Sequence, residues 1–285
     1  GTLPDARFPA TLPAISGANL TNLPIPAAVA SGTADFVASG TLPNGSAVVL
    51  KSDGTVETIL RTVTPPPNQN IPMGSVATFN AATYMPKVAF DPNVSGKFII
   101  VYKDVSNSSY GTAVAGTLSG TTLTFGTPVV FNTSDTPVYS IAFDPNTSGK
   151  FVIAYVDNNN SSKGTAKAGS LAGTTITFGA SAVFTTGGSV SMSVVCDTST
   201  AGKYLITYRD AGNSNYGMVT IGAVSGTSIT FGTPVAFISG EANYISAAFD
   251  PNVAGSFIVV YTDMTSAAGM VLAGAVSGTS ITFGT

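Results

Sequence analysis

Phe90-Asp91-Pro92-Asn93-Val94-Ser95-Gly96-Lys97-Phe98 returns, with changes, from Phe143, from Cys196 and from Phe249, each time 53 residues on. A fixed period means that one small folding unit has been copied and stacked, so this phrase decides the architecture. Positions shared by all copies form the scaffold. Positions that differ between copies are free to do something else.

One copy spells out its strands. Val138-Tyr139-Ser140-Ile141-Ala142-Phe143 is a short run of β-favouring residues, stopped by Asp144-Pro145-Asn146. That triplet is turn chemistry: Asp and Asn bond back to nearby backbone, and Pro presets φ. Phe151-Val152-Ile153-Ala154-Tyr155-Val156 is apolar on both faces, as a strand covered on both sides must be. Residues 157–162 form a loop, 164–171 a third strand, and Thr174-Thr175-Ile176-Thr177-Phe178 alternates polar with apolar like a half-exposed fourth. Four short strands with tight turns fit a β-propeller blade or one layer of a linear β-array. The gradient from doubly buried second strand to half-exposed fourth favours the propeller.

The expectation is therefore an all-β chain: a segment at 1–32, then a β-propeller domain at 33–285 of about five four-stranded blades. The blades fall near 33–82, 83–135, 136–188, 189–241 and 242–285. The first copy is weak. Ala34-Asp35-Phe36-Val37-Ala38 stands as its first strand, the stretch from Asn44 to Asp53 resembles Ser95 to Asp104, and residues 55–63 and 75–79 complete it around Pro65-Pro66-Pro67. The chain starts at Gly1 rather than Met and breaks off after Phe283-Gly284-Thr285, so it reads as a processed product or a fragment, and a larger ring stays open.

Composition excludes several kinds of chemistry. Of 285 residues, 44% are hydrophobic and 9% charged, enough apolar surface for a large core. Net charge is −3, with 11 Lys+Arg and no basic cluster, which argues against a nucleic-acid partner. Histidine is absent, so Ser-His-Asp catalysis and His-ligated metals are not available. Cys196, the only cysteine, sits where the other copies have Phe90, Phe143 and Phe249, and reads as a small buried hydrophobe. No apolar run reaches the roughly 18 residues of a membrane span, so no membrane insertion is expected.

Two Asp columns recur: Asp91, Asp144, Asp197 and Asp250, then Asp104, Asp157, Asp210 and Asp263. A ring of calcium sites is one reading, since Asp-x-Asn offers hard oxygen ligands. The other, preferred because each turn brings a single carboxylate, is that each Asp caps the turn after a strand. No metal or cofactor is expected. Tyr102, Tyr155, Tyr208 and Tyr261 recur as packing residues, and Gly126, Gly179, Gly232 and Gly284 mark a bulge or bend after Phe.

Enzymatic readings are weak. A sialidase-like propeller needs an arginine cluster, and the chain has Arg7, Arg61 and Arg209 alone; Ser52-Asp53-Gly54 echoes an Asp-box only loosely. A glycosidase needs two carboxylates, and the non-repeated ones are Asp35, Asp53, Glu57, Asp135 and Glu241.

The loops fall into two classes. Turns between first and second strands, and between third and fourth, barely change between copies. Loops between second and third strands diverge, as do the crossings to the next copy: Asn107 and Tyr110, Asn160 and Lys163, Asn213 and Tyr216 lie in the former, Tyr84, Asp135, Glu241 and Asn243 in or beside the latter. In a propeller all of this divergence falls on one face. Asn, Ser and scattered Tyr suit adaptable hydrogen bonds and flat apolar contact, and low charge suits a neutral ligand such as a glycan. These ten residues are the candidate binding face; surface drift in exposed loops is the plain alternative.

The non-repeated N-terminus carries a resemblance. Leu3-Pro4-Asp5-Ala6-Arg7-Phe8-Pro9-Ala10-Thr11-Leu12-Pro13, followed by Gly17-Ala18-Asn19-Leu20-Thr21-Asn22-Leu23-Pro24, resembles stem segments of bacteriophage tail fibres. The repeats, with Phe-Asp-Pro-Asn, Gly-Lys-Phe and Thr-Phe-Gly, resemble repeat domains of marine phage structural proteins. The resemblance implies an extracellular virion appendage, trimeric, joined to other virion proteins through residues 1–32, with its outer face on a host surface glycan or receptor protein. Two other readings stand beside it: a decoration or spacer protein with no ligand, and a secreted bacterial lectin-like adhesive repeat protein.

Overall fold

The computed structural model describes residues 37–38, 48–58 and 74–284. The chain falls into two compact units, Gly1–Ile71 and Pro72–Thr285. In the first, β1 (Val37–Ala38), β2 (Val48–Leu50) and β3 (Thr55–Thr58) form a sheet in the order β1-β3-β2. β1 runs parallel to β3, whereas the blade expected over 33–82 is antiparallel; much of that stretch lies outside the described residues. A tight turn explains part of the difference. Gly54, at φ +82°, donates its N–H to the Lys51 carbonyl and folds β2 directly onto β3, where other copies have a longer loop. Residues 74–80 belong to no strand. The segment 1–32, the start of the proposed first strand and the Pro65-Pro66-Pro67 loop lie outside the described residues.

The second unit holds four copies of one antiparallel meander. Module 1 comprises β4 (Thr83–Phe90), β5 (Lys97–Asp104), β6 (Tyr110–Ser119) and an outer strand in two pieces, β7 (Thr122–Phe125) and β8 (Val129–Asp135), both paired with β6. Module 2 comprises β9 (Val138–Phe143), β10 (Lys150–Asp157), β11 (Lys163–Ala172) and the first part of β12 (Thr175–Cys196). The remainder of β12 is already the first strand of module 3, which continues with β13 (Lys203–Asp210), β14 (Tyr216–Ser225), β15 (Ser228–Phe231) and the start of β16 (Val235–Phe249). The end of β16, β17 (Ser256–Asp263), β18 (Ala268–Ser277) and β19 (Ser280–Phe283) make module 4.

The modules stack face to face, and three apolar clusters fill the three joints. At the first joint the small residues Ala113 and Ala115 of module 1 meet Phe143 and Phe151 of module 2. The second joint repeats the small pair as Ala166 and Ala168 in one cluster with Cys196 and Tyr204; at the third, Val219 and Ile221 take their place, in one cluster with Phe249 and Phe257. Both faces of β10 and β13 are thereby buried, which is why β10 is apolar from Phe151 to Val156 and β13 from Tyr204 to Ile206. First strands of neighbouring modules come together: Val194 N–H donates to Ser140 Oγ at 3.1 Å. The architecture is all-β, and among the described residues the sheets do not close into a ring. Four such modules are formed among the described residues, and the expected count of five is not confirmed.

The repeated Asp residues cap turns. Asp91, Asp144, Asp197 and Asp250 each accept, through Oδ1, the N–H two residues on, at 2.8–2.9 Å. Asp104, Asp157, Asp210 and Asp263 do likewise at 2.9–3.2 Å. At the first two joints the second carboxylate oxygen of this column reaches the next module, whereas Asp197 Oδ2 lies 4.0 Å from Lys203 Nζ of its own module. Gly149 N–H donates to Asp91 Oδ2 at 2.9 Å and Gly202 N–H to Asp144 Oδ2 at 2.7 Å. The Asn two residues after each Asp adds a second bond, Asn93 Nδ2 to the Asp144 carbonyl and Asn146 Nδ2 to the Asp197 carbonyl, both at 3.0 Å. The glycines after Phe do more than bend the strand: a Cβ on Gly126, Gly179 or Gly232 would meet the next module's Thr174, Thr227 or Thr279 within 3 Å.

Candidate functional site

Strand parity separates the two loop classes. Phe90 pairs with Phe98 and Ser119 with Thr122 at one edge of module 1; Asp104 pairs with Tyr110 and Tyr110 with Asp135 at the other. The near-invariant turns therefore share one edge, and the divergent loops share the opposite edge with the crossings. Hydrogen bonds join this second edge across modules. Ser134 Oγ donates to Asp157 Oδ1 at 2.6 Å, Asn158 Nδ2 to Asp135 Oδ2 at 3.0 Å, and Thr186 Oγ1 to Asp210 Oδ2 at 3.2 Å. The divergent segments thus form one continuous strip.

Two polar clusters on the strip occupy the same place in modules 1 and 3. Lys103 forms an ion pair with Asp135, and Arg209 with Glu241. Tyr110 is the cross-strand partner of Asp135, as Tyr216 is of Glu241. The Lys103 ammonium, with help from Asn158, holds the Asp135 carboxyl below the usual carboxylate range. Module 2 differs: Val156 stands where the cations stand, and Lys163 faces Gly188. Asn107, Asn160 and Asn213 are exposed in the three corresponding loops, and Asn213 Nδ2 lies 3.6 Å from Met218 Sδ.

The first strands add aromatic surface. Each carries a register shift near this edge. At three of these bulges a non-glycine residue adopts the left-handed region: Met85 at φ +50°, Ser191 at +50° and Tyr244 at +52°. The bulge turns Tyr244 outward, 81% exposed; in module 1, Tyr84, next to Met85 in sequence, is 57% exposed with Lys103 Nζ 5.8 Å from its ring centre. Asn243, beside Tyr244, accepts from Ser191 Oγ of the preceding module at 3.5 Å. Burial pushes the half-buried Tyr139 hydroxyl upward, and the nearby Arg209 charge offsets part of that shift. Sequence reasoning alone misses Lys103, Arg209, Tyr139 and Tyr244. A tyrosine standing where other copies have Met85 and Ser191 is the available signal for the last.

The carboxylates weighed for glycosidase chemistry are otherwise engaged. Asp135 and Glu241 are ion-paired in separate modules, Asp53 accepts from Thr55 N–H and Oγ1 at 2.9 and 2.7 Å, and Glu57 pairs with Lys51 at 2.5 Å. Asp35 lies outside the described residues. Cys196 is buried, and burial pushes its thiol upward, away from thiolate chemistry. Among the described residues no helix is long and apolar enough to cross a membrane.

No family model matches the chain, and no curated protein matches its sequence. Among solved structures, a mutant of the Aleuria aurantia lectin in complex with alpha-methyl-L-fucoside aligns with 66% of this chain at 16% identity and a TM-score of 0.43. A Hadza microbial sialidase aligns with 72% at 13% identity and a TM-score of 0.44. The aligned regions span 56% of the lectin and 47% of the sialidase. Likeness at this level assigns neither a ligand nor an activity.

Proposed function

We propose that the protein is a non-enzymatic, lectin-like adhesive protein that binds a neutral surface glycan along the divergent edge of its modules. The observation that carries this is the strip itself: exposed Tyr84 in module 1, exposed Tyr244 in module 4 and exposed Asn107, Asn160 and Asn213 lie along one edge, on a scaffold whose opposite edge is nearly constant. A sugar presents a flat C–H face and a rim of hydroxyls, which such rings and amides match. The cations Lys103 and Arg209 are neutralised by Asp135 and Glu241, which favours an uncharged sugar over an acidic one. Screening the chain on a mixed array of neutral and sialylated glycans tests this. Binding to neutral glycans is the expected result; binding confined to sialylated ones, or none at all, rejects it.

The virion setting suggested by residues 1–32 is a proposal about where such a binder acts. A phage fibre would block adsorption of its phage to host cells when added in excess, and a spacer protein would not.

A further inference from the structure

The three joints of the stack are not held alike. At the first, Gly149 N–H and Asn93 Nδ2 bridge the constant edge, Ser134 Oγ and Asn158 Nδ2 bridge the divergent edge, and Lys167 Nζ donates to the Phe131 carbonyl at 2.5 Å. At the second, Gly202 N–H, Asn146 Nδ2 and Thr186 Oγ1 do the same, and Val194 N–H donates to Ser140 Oγ between first strands. At the third, among the described residues, one hydrogen bond between side chains remains, from Ser191 Oγ to Asn243 Oδ1 at 3.5 Å.

The groups that span the other joints are turned inward here. Gly255 follows Asp197 at the spacing of 58 residues that separates Gly149 from Asp91 and Gly202 from Asp144, but among the described residues its N–H donates to no group. Asp197, 1% exposed, keeps an Oδ2 with no hydrogen-bond partner. Ser199 stands where modules 1 and 2 have Asn93 and Asn146, and its Oγ donates to Asp197 Oδ1 at 2.6 Å, within its own turn. On the divergent edge Asp157 and Asp210 accept from the preceding module, whereas Asp263 Oδ2 accepts from Ser266 Oγ of its own loop at 2.7 Å.

What holds the third joint is apolar. Leu205, Val219 and Ile221 of module 3 share a buried cluster with Phe249, Phe257 and Val259 of module 4. At the crossing the unbroken β16 joins the two modules, and Met264 N–H donates to the Glu241 carbonyl at 3.0 Å. Apolar contact resists separation but has no direction, whereas hydrogen bonds select one alignment of donor and acceptor.

We infer that this joint is a shear plane: modules 1 to 3 form one block, and module 4 slides against it as a unit, tethered by β16. Asn243 and Tyr244 ride on module 4, so the divergent edge has a fixed part and an adjustable one. Where that edge binds a glycan, as proposed above, the sliding sets the spacing between Tyr244 and Asn213. The motion itself needs no ligand.

Pairs of spin labels in matching loops of the full chain read each joint by double electron–electron resonance, without any glycan. Asn107→Cys with Asn160→Cys spans the first joint, Asn160→Cys with Asn213→Cys the second, and Asn213→Cys with Thr265→Cys the third. All four sites are exposed, and the native Cys196 is buried. The first two pairs should give narrow distance distributions and the third a broad one. Thr198→Pro with Ser199→Asn gives module 3 the turn of modules 1 and 2. This change lies at the edge opposite the labels, so it acts on the joint and not on the labelled loops, and it should narrow the third distribution. Circular dichroism checks the fold, and a double variant that misfolds is replaced by Ser199→Asn alone. Equal widths at all three joints overturn the inference, as does a third distribution that stays broad once the turn is restored.

Discussion

The backbone N–H of Gly149 donates to Oδ2 of Asp91, 58 residues earlier, at 2.9 Å in a buried position between modules 1 and 2. The same carboxylate caps its own turn through Oδ1. One side chain thus holds both the turn and the joint. Removing a partner from a buried hydrogen bond costs about 1–3 kcal/mol. Asp91→Ala should accordingly lower stability by about that much beyond the loss of the turn cap. Asp250→Ala loses the cap alone among the described residues. Denaturant titration of the two variants should show Asp91→Ala as the clearly weaker.

Gly149 is constrained twice. It sits at φ +72°, and a Cβ there would lie 2.3 Å from the Leu171 carbonyl oxygen. Gly173 has a similar φ of +64° with open space around it. Gly173→Ala should cost roughly 1 kcal/mol from backbone strain, and Gly149→Ala several times that, because the backbone itself must move. Thermal melts of both variants give the ratio.

Cys196 and Tyr204 are cross-strand partners at a place where modules 1, 2 and 4 pair two phenylalanines, such as Phe143 with Phe151. The smaller thiol leaves room for the extra hydroxyl of Tyr204, which is wholly buried. Restoring the repeat with Cys196→Phe should overpack this site and destabilise by about 1–3 kcal/mol. Cys196→Phe combined with Tyr204→Phe should recover most of the loss, as read from the same denaturant titration.

Stability should be flat through neutral pH, because the chain has no histidine. Five carboxyls among the described residues, those of Asp53, Asp104, Asp135, Asp197 and Asp263, lie below the ordinary value of 3.8. For Asp135 the main cause is Lys103; for Asp104 and Asp197 burial opposes the shift and hydrogen bonds from Ser106 and Ser199 help to outweigh it. A lowered folded pKa means stability present above the unfolded value and lost as pH falls through the folded one. The melting temperature should therefore hold from about pH 8 to 5 and drop below about pH 4. At the alkaline end, burial raises Tyr155 to about 12 and also raises Tyr208. Their contribution is present below the usual tyrosine value of 10.0 and is lost as pH climbs above it.

Much of the scaffold is readable because the repeat shows every strand four times. Asp-Pro-Asn and Ser-Gly-Thr name their turns by local chemistry, and antiparallel parity then sends Asn107, Asn160 and Asn213 to one edge without tertiary information. The latch from Asp91 to Gly149 is hidden, because a carboxylate that caps a turn looks the same in sequence whether or not its second oxygen is used. The pairs Lys103–Asp135 and Arg209–Glu241 join residues 32 apart on different strands, a distance at which no local pattern operates. Tyr244 escapes notice because a left-handed bulge filled by ordinary L-residues leaves no glycine to mark it. The first copy is harder to read for a related reason: its apolar segments suit strands, but pairing order is set by turns, and Ser52-Asp53-Gly54 closes a tight one.

Recognition by the divergent edge is tested most directly by glycan binding of matched variants. Tyr84→Ala with Tyr244→Ala alters that edge, and Thr121→Ala with Thr198→Ala alters the turns of the opposite edge as the control. The predicted result is a loss of roughly tenfold or more in affinity for the tyrosine pair, with an unchanged melting temperature and wild-type binding by the threonine pair. Equal binding by both pairs, or loss confined to the threonine pair, would contradict recognition by the divergent edge.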